Sequence, residues 1–145
     1  MTYALLILLD IIVLFAVWVR VAASNPKRWH VTVDATPKQM DGGVIMVTPG
    51  DSDTFKRLFD IAKATPRTRL LAGGADAGHA TFITRSAVWG FPDYSTMQLH
   101  RAQNGDQIAI YARLRFGRKD FGVNSARVTD WLQRLHPTQS GSRKT

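Results

Sequence analysis

Among the side chains able to do chemistry, Arg85, Tyr111, Arg113 and Arg115 stand out by spacing. Tyr111, Arg113 and Arg115 recur every second residue, so on a strand all three share one face. If Arg85 joins them, the result is a multidonor surface suited to a carboxylate or phosphate, because each guanidinium offers a planar fork of N–H groups. A second set, Asp93, Asp120, Asn124 and Arg127, has the composition of a structural network that ties turns to a helix. Asp93 follows Pro92 in a turn, and Asp120 can either accept the free N–H groups of its own turn or pair with Arg127. The arginine face can equally be such a network, so both readings are carried forward.

Catalytic constellations are harder to find. His79, Ser86 and Asp76 supply the residue types of a hydrolytic triad, but a triad is defined by geometry, and Ser86 lacks a nucleophile elbow. His30, His79, His100 and His136 are scattered without metal-ligand spacing. Gly73, Gly74 and Gly78 are too sparse for a dinucleotide fingerprint, and no phosphate loop of Gly-Lys-Ser/Thr type is present. The chain has no cysteine, which removes thiolate nucleophiles, disulfides and cysteine metal sites together. No catalytic residue, metal or cofactor is therefore assigned.

Charge narrows the class of partner. Nineteen Lys and Arg, thirteen of them Arg, face eleven acidic residues, all Asp, for a net charge of +8 in 145 residues. Beside a bilayer such a domain would be drawn to anionic headgroups, and solubility alone is the other reading of the same charge. The same field would suit nucleic acid, but the known recognition modules are missing and no nucleic acid partner is expected.

The elements that must position these groups begin with an apolar run. From Ala4 to Val19 the only interruption is Asp10, and Val21-Ala22-Ala23 extends the run past Arg20. About 20 helical residues span about 30 Å, the thickness of a hydrocarbon core. Met1-Thr2-Tyr3 offers no basic side chain for a signal peptide, so residues 1–24 are read as a transmembrane anchor. A carboxylate within such a helix commonly meets a partner, which makes Asp10 a candidate contact to another membrane protein subunit. Trp18 suits the membrane interface.

Residues 25–42 read as a polar connector with Pro26 and Pro37, in which Trp29, Val31 and Val33 alternate as in a short strand. Strands are expected at 44–47, 68–72, 80–88, 94–100 and 107–116. The last two are joined at Asn104-Gly105, a favoured hairpin turn pair. In the final strand Ile108, Ile110, Ala112, Leu114 and Phe116 share the core face, leaving the arginine face at least partly wet. Phe55, Leu58, Phe59 and Ala62 mark one amphipathic helix, capped by the Asp51-Ser52-Asp53 run. Val128, Trp131, Leu132 and Leu135 mark another, capped by Asn124 or Ser125. The result is an α+β domain over 43–136, an antiparallel sheet of about five strands with two helices on one face. A disordered basic tail, 137–145, would follow it.

Two stretches carry a family resemblance. Thr84-Arg85-Ser86-Ala87-Val88-Trp89-Gly90-Phe91-Pro92-Asp93 is one, and the run from Tyr111 to Asn124 with Arg127 beyond it is the other. Together they resemble DUF1499, a group of uncharacterised bacterial and plastid proteins, over about residues 44–136. The resemblance implies no reaction, and the anchor lies outside it; the anchor is what makes a single pass in a bacterial inner membrane the expected location. The flanking Arg20, Lys27 and Arg28 place the domain in the cytoplasm by the positive-inside rule, whereas related proteins look exported, so the side stays open. The leading expectation is a membrane-anchored, noncatalytic accessory or assembly subunit of a membrane protein complex. The alternatives are a domain binding an anionic lipid or small amphiphile, and a membrane-proximal hydrolase.

Overall fold

The computed structural model describes residues 2–137. Its first element is α1 (Thr2–Val21), followed by a one-turn helix α2 (Pro26–Trp29). Then come β1 (Lys38–Met40), β2 (Gly43–Pro49), α3 (Ser52–Lys63), β3 (Thr68–Gly74), β4 (His79–Arg85), β5 (Pro92–His100), β6 (Gln107–Leu114) and α4 (Val123–Leu135). The strands form one antiparallel sheet in the order β1-β2-β6-β5-β4-β3. The class is the expected α+β, with six strands where about five were read. The added strand is β1, three residues long and too short to show a period of its own. The tail expected to be disordered lies, from residue 138 onward, outside the described residues.

One sheet face carries the core. Asp51 accepts the Thr54 N–H at 2.9 Å and starts α3, and those bonds hold its carboxyl below the usual range. Phe55, Leu58, Phe59 and Ala62 of α3 then pack with Val128, Trp131 and Leu135 of α4 over Phe82, Met97, Ile108 and Ile110. The indole of Trp131 donates to Thr65 Oγ1 at 2.8 Å, so the largest core side chain buries no unpaired N–H.

The other sheet face departs from expectation, for it is covered rather than wet. Residues 19–33 cross it, and Ile83, Tyr94 and Thr96 beneath them are inaccessible. The connector read from sequence is therefore a strap that belongs to the fold. Trp29, expected on a short strand, sits on α2, because Asn25 caps the Lys27 N–H and Pro26 occupies the first helical position. Its ring stacks on Tyr94 with centroids 3.8 Å apart. β6 ends at Leu114, so Phe116 leaves the core-face alternation and turns toward Trp18, 5.8 Å away between centroids.

α1 is long and apolar enough to cross a membrane, with mean hydropathy 2.6 over Tyr3–Val21, and most of its surface is exposed. Val19, near its end, is fully buried against the domain.

On β3 the pairing with β4 shifts between Leu70 and Ala72, and Gly73 follows with φ +78°. A side chain there would meet both a disfavoured backbone and the His79 carbonyl. Gly73→Ala is expected to destabilise the domain by about 2 kcal/mol. Thermal unfolding of the detergent-solubilised chain checks this, and an unchanged midpoint would mean that β3 can move aside.

Candidate functional site

The arginines picked out by spacing do come together. In the sheet register Tyr94 sits opposite Arg113, Thr96 opposite Tyr111 and Arg85 opposite Pro92, while Arg115 follows the last residue of β6. What they meet there is mostly backbone. Arg85 Nη1 donates to Gly90 O at 2.8 Å and to Val19 O at 3.3 Å. Arg115 Nη1 reaches Ala23 O at 3.3 Å and the Tyr94 hydroxyl at 3.2 Å. Arg113 Nη2 donates to Trp29 O, and its Nη1 donates to Thr96 Oγ1 at 3.1 Å and Tyr111 O at 3.2 Å.

The physical reason is local. The last carbonyls of a helix have no partner within it and form the negative end of its dipole, so a cation beside them is favoured. Arg85 meets Val19 O, one of these terminal carbonyls of α1, and Arg115 meets the chain just beyond. Arg20 completes the arrangement from the helix side, donating to Val88 O at 2.9 Å. Arg113 is nearly fully buried, and burial pushes its guanidinium down to about 10, so it remains charged at neutral pH. Tyr111 lies 4.3 Å below its guanidinium and Trp29 5.6 Å away, both as cation–π neighbours. Both terminal nitrogens of Arg113 are thus engaged inside the protein.

The second set forms a network at the start of α4. Asp120 accepts the N–H groups of Gly122 at 2.9 Å and Asn124 at 3.1 Å. It therefore caps the helix, the task read from sequence onto Asn124 or Ser125. The reversal follows from Gly122, whose φ of +81° turns the chain so that the Asp120 carboxylate faces the free N–H groups. Arg127 pairs with Asp93 at 3.2 Å, both side chains largely buried, and donates to Asn124 Oδ1 at 2.7 Å. Burial raises the Asp93 carboxyl above its usual value, and the Arg127 charge opposes that rise.

The triad residue types are kept apart. His79 and Ser86 stand at opposite ends of β4, about 20 Å apart along an extended strand. Asp76 pairs with Lys56 at the surface. Instead, His79 stacks on His30 of the strap with centroids 3.9 Å apart and donates to Val31 O at 3.0 Å. His30 Nδ1 shares a hydrogen bond with Thr81 Oγ1 at 2.9 Å. Among the described residues no group of three or more His, Cys, Asp or Glu could hold a metal ion.

Sequence reasoning missed the aromatic junction between α1 and the domain. Phe91 meets Phe15 at 6.3 Å and Phe116 at 5.8 Å, and Trp18 closes on Phe116. The signal was present in Trp89-Gly90-Phe91 and Phe116, but nothing local shows which helix such side chains will meet.

The sequence model of the family described as "Protein of unknown function (DUF1499)" matches residues 22–135. This chain belongs to the DUF1499 family. The match begins at residue 22 rather than near 44, so the strap that the arginines hold is itself part of the DUF1499 domain. No curated protein and no solved structure matches the chain.

Two outcomes are expected. Arg113→Ala should cost about 2–4 kcal/mol by denaturant titration and open the strap to proteolysis, with Arg113→Lys a poor substitute for the fork. Stability should also fall as pH drops through the ordinary histidine range. Desolvation, and then the nearby His79, lower the His30 pKa in the folded state, so the unfolded chain binds the extra proton more readily. Thermal unfolding between pH 8 and pH 5 checks this, and His30→Gln should flatten the dependence.

Proposed function

We propose that this DUF1499 protein is a membrane-anchored, noncatalytic accessory or assembly subunit of a membrane protein complex, held by α1 as a single pass in a bacterial inner membrane. The observation that carries the reading is the firm attachment of α1 to the domain. Val19 is buried, and Arg20 and Arg85 tie the helix end to the loop between β4 and β5. A protein that binds α1 laterally would therefore set the position of the whole domain.

Asp10 supplies the contact. It lies on an exposed stretch in the middle of α1 and makes no ion pair or side-chain hydrogen bond among the described residues. A carboxylate there costs about 2.5–3.5 kcal/mol on insertion scales, a cost that a polar or basic group on a neighbouring helix offsets. A membrane-proximal hydrolase is less favoured, since His79 opens β4 and Ser86 lies just past its other end. The second reading is an anionic lipid ligand. It draws support from Arg20, Arg67, Arg118 and Lys119, exposed and without a carboxylate partner among the described residues, rather than from Arg113.

Purification from native membranes in mild detergent should co-isolate a stoichiometric membrane protein. Asp10→Leu should weaken its retention while leaving the thermal unfolding of the domain unchanged. Recovery of the chain alone in every detergent, or equal retention by Asp10→Leu, would remove the reading.

A further inference from the structure

Soluble domains leave single apolar side chains at the surface without consequence, but clusters of them mark contact sites. Outside α1, the exposed large apolar residues described in this protein are Leu70, Val88, Trp89, Phe121 and Val123. Four of the five lie at one end of the sheet. Val88, 74% exposed, and Trp89, 44% exposed, are in the loop between β4 and β5, while Phe121, 91% exposed, and Val123 belong to the β6–α4 turn and the start of α4.

That end is the one from which α1 departs. The β4–β5 loop touches α1 through Arg20 and Val88 O, and Phe91 meets Phe15. Trp89 and Phe91 also face Ile11, Ile12 and Phe15 across a wholly apolar crevice of about 320 Å³. At 1.5 Å per residue, Phe15 lies about 9 Å from the end of α1 toward its middle, so a bilayer that covered the whole of α1 would take in the tip of this loop as well. Trp and exposed aliphatic side chains at that depth suit the boundary between headgroups and acyl chains.

The free charge at this end is mostly positive, the exception being Asp41 in the β1–β2 turn, exposed beside Lys119 and Phe121 and in none of the ion pairs among the described residues. Arg118 and Lys119 precede Phe121, and Arg20 and Arg67 border the β4–β5 loop, all exposed and without a carboxylate partner among the described residues. The two carboxylates of the adjoining network are occupied, Asp120 by backbone N–H groups and Asp93 by Arg127. Apolar tips bordered by four exposed cations and one exposed carboxylate match the layered chemistry of an anionic bilayer surface, acyl chains beneath phosphates.

We propose that the β4–β5 loop and the β6–α4 turn form a second membrane contact, dipping Val88, Trp89 and Phe121 into the interface of an anionic phospholipid leaflet beside α1. The domain then lies against the bilayer with its sheet standing away from it, held at two points beyond the helix. The inference deepens the lipid reading and rests on α1 lying in a bilayer. It needs no protein partner.

The absence of cysteine allows the test to be made on the full chain by placing one thiol at a time. An environment-sensitive fluorophore is attached to Val88→Cys, to Phe121→Cys, to Asn104→Cys in the turn at the far end of the sheet, and to Leu8→Cys within α1. Each protein is reconstituted in nanodiscs of phosphatidylcholine with or without phosphatidylglycerol. With the anionic lipid, the labels at 88 and 121 should emit to the blue, lose quenching by aqueous iodide and gain quenching by nitroxide-bearing lipid, and label 104 should do none of these. Without phosphatidylglycerol the protection at 121 should diminish. Labels at 88 and 121 as open to iodide as label 104 would overturn the proposal, as would protection from iodide without lipid quenching, which would indicate a second copy of the chain. If label 8 is lipid-quenched in that case, only the second contact fails. If label 8 also stays wet, the membrane reading of α1 fails with it.

Discussion

The structure depends on guanidinium groups satisfying carbonyls that would otherwise have no donor. Where α1 ends, its terminal carbonyls lose their helical partners while the chain is being drawn across a sheet face away from water. Arg85 and Arg115 supply donors at that exit, and Arg113 does the same further along for Trp29. Each is a charge-assisted bond in a partly desolvated setting, where an unpaired group on either side would be costly. The cations gain from the dipole of the helix they hold, and the strap gains a fixed course. Stacked Trp29–Tyr94 and His30–His79 pairs extend that course along the sheet.

This arrangement covers both faces of the sheet although, among the described residues, the two amphipathic helices α3 and α4 cover one of them. α3 and α4 fill one side with apolar bulk, as their three-and-four spacing requires. The other side is covered by residues 19–33, whose mixed composition would be a poor core layer by itself. Threonines and histidines beneath it, such as Thr81 and Thr96, are tolerable there because they bond one another and the strap. The consequence for function is mechanical. A helix long enough to cross a bilayer is joined to its domain by bonds and aromatic contacts rather than by a free tether, so events along α1 and at the β4–β5 loop bear directly on the orientation of the domain.

The charge-bearing residues thereby divide by task. Arg85, Arg113 and Arg115 organise the chain, Arg127 and Asp93 join α4 to β5, and Asp120 starts α4. Arg20 ties α1 to the β4–β5 loop, and Arg118 and Lys119, exposed and without a carboxylate partner among the described residues, lie at the same end of the sheet. The excess positive charge of the composition is therefore not spread evenly in what it does: part of it is internal scaffolding and part faces outward.

Local pattern was enough to determine the apolar helix, both amphipathic helices, the main strands and the alternation that puts Arg113 and Arg115 on one face. Each of these is a matter of period and composition within about a dozen residues, which is the range over which side-chain periodicity carries information. The two motif stretches were also enough to place the chain in its family. Tertiary structure alone decided what the arginine face meets, because the carbonyls of Val19, Ala23 and Trp29 lie more than sixty residues earlier in the chain and a backbone acceptor leaves no mark in a side-chain pattern. The same holds for the strap, read as a connector because its few apolar residues show no sustained period, and for Phe116, whose direction follows from where β6 stops pairing. Pairing over long sequence separation, with partners that are backbone rather than side chain, is the kind of information that only the folded chain contains.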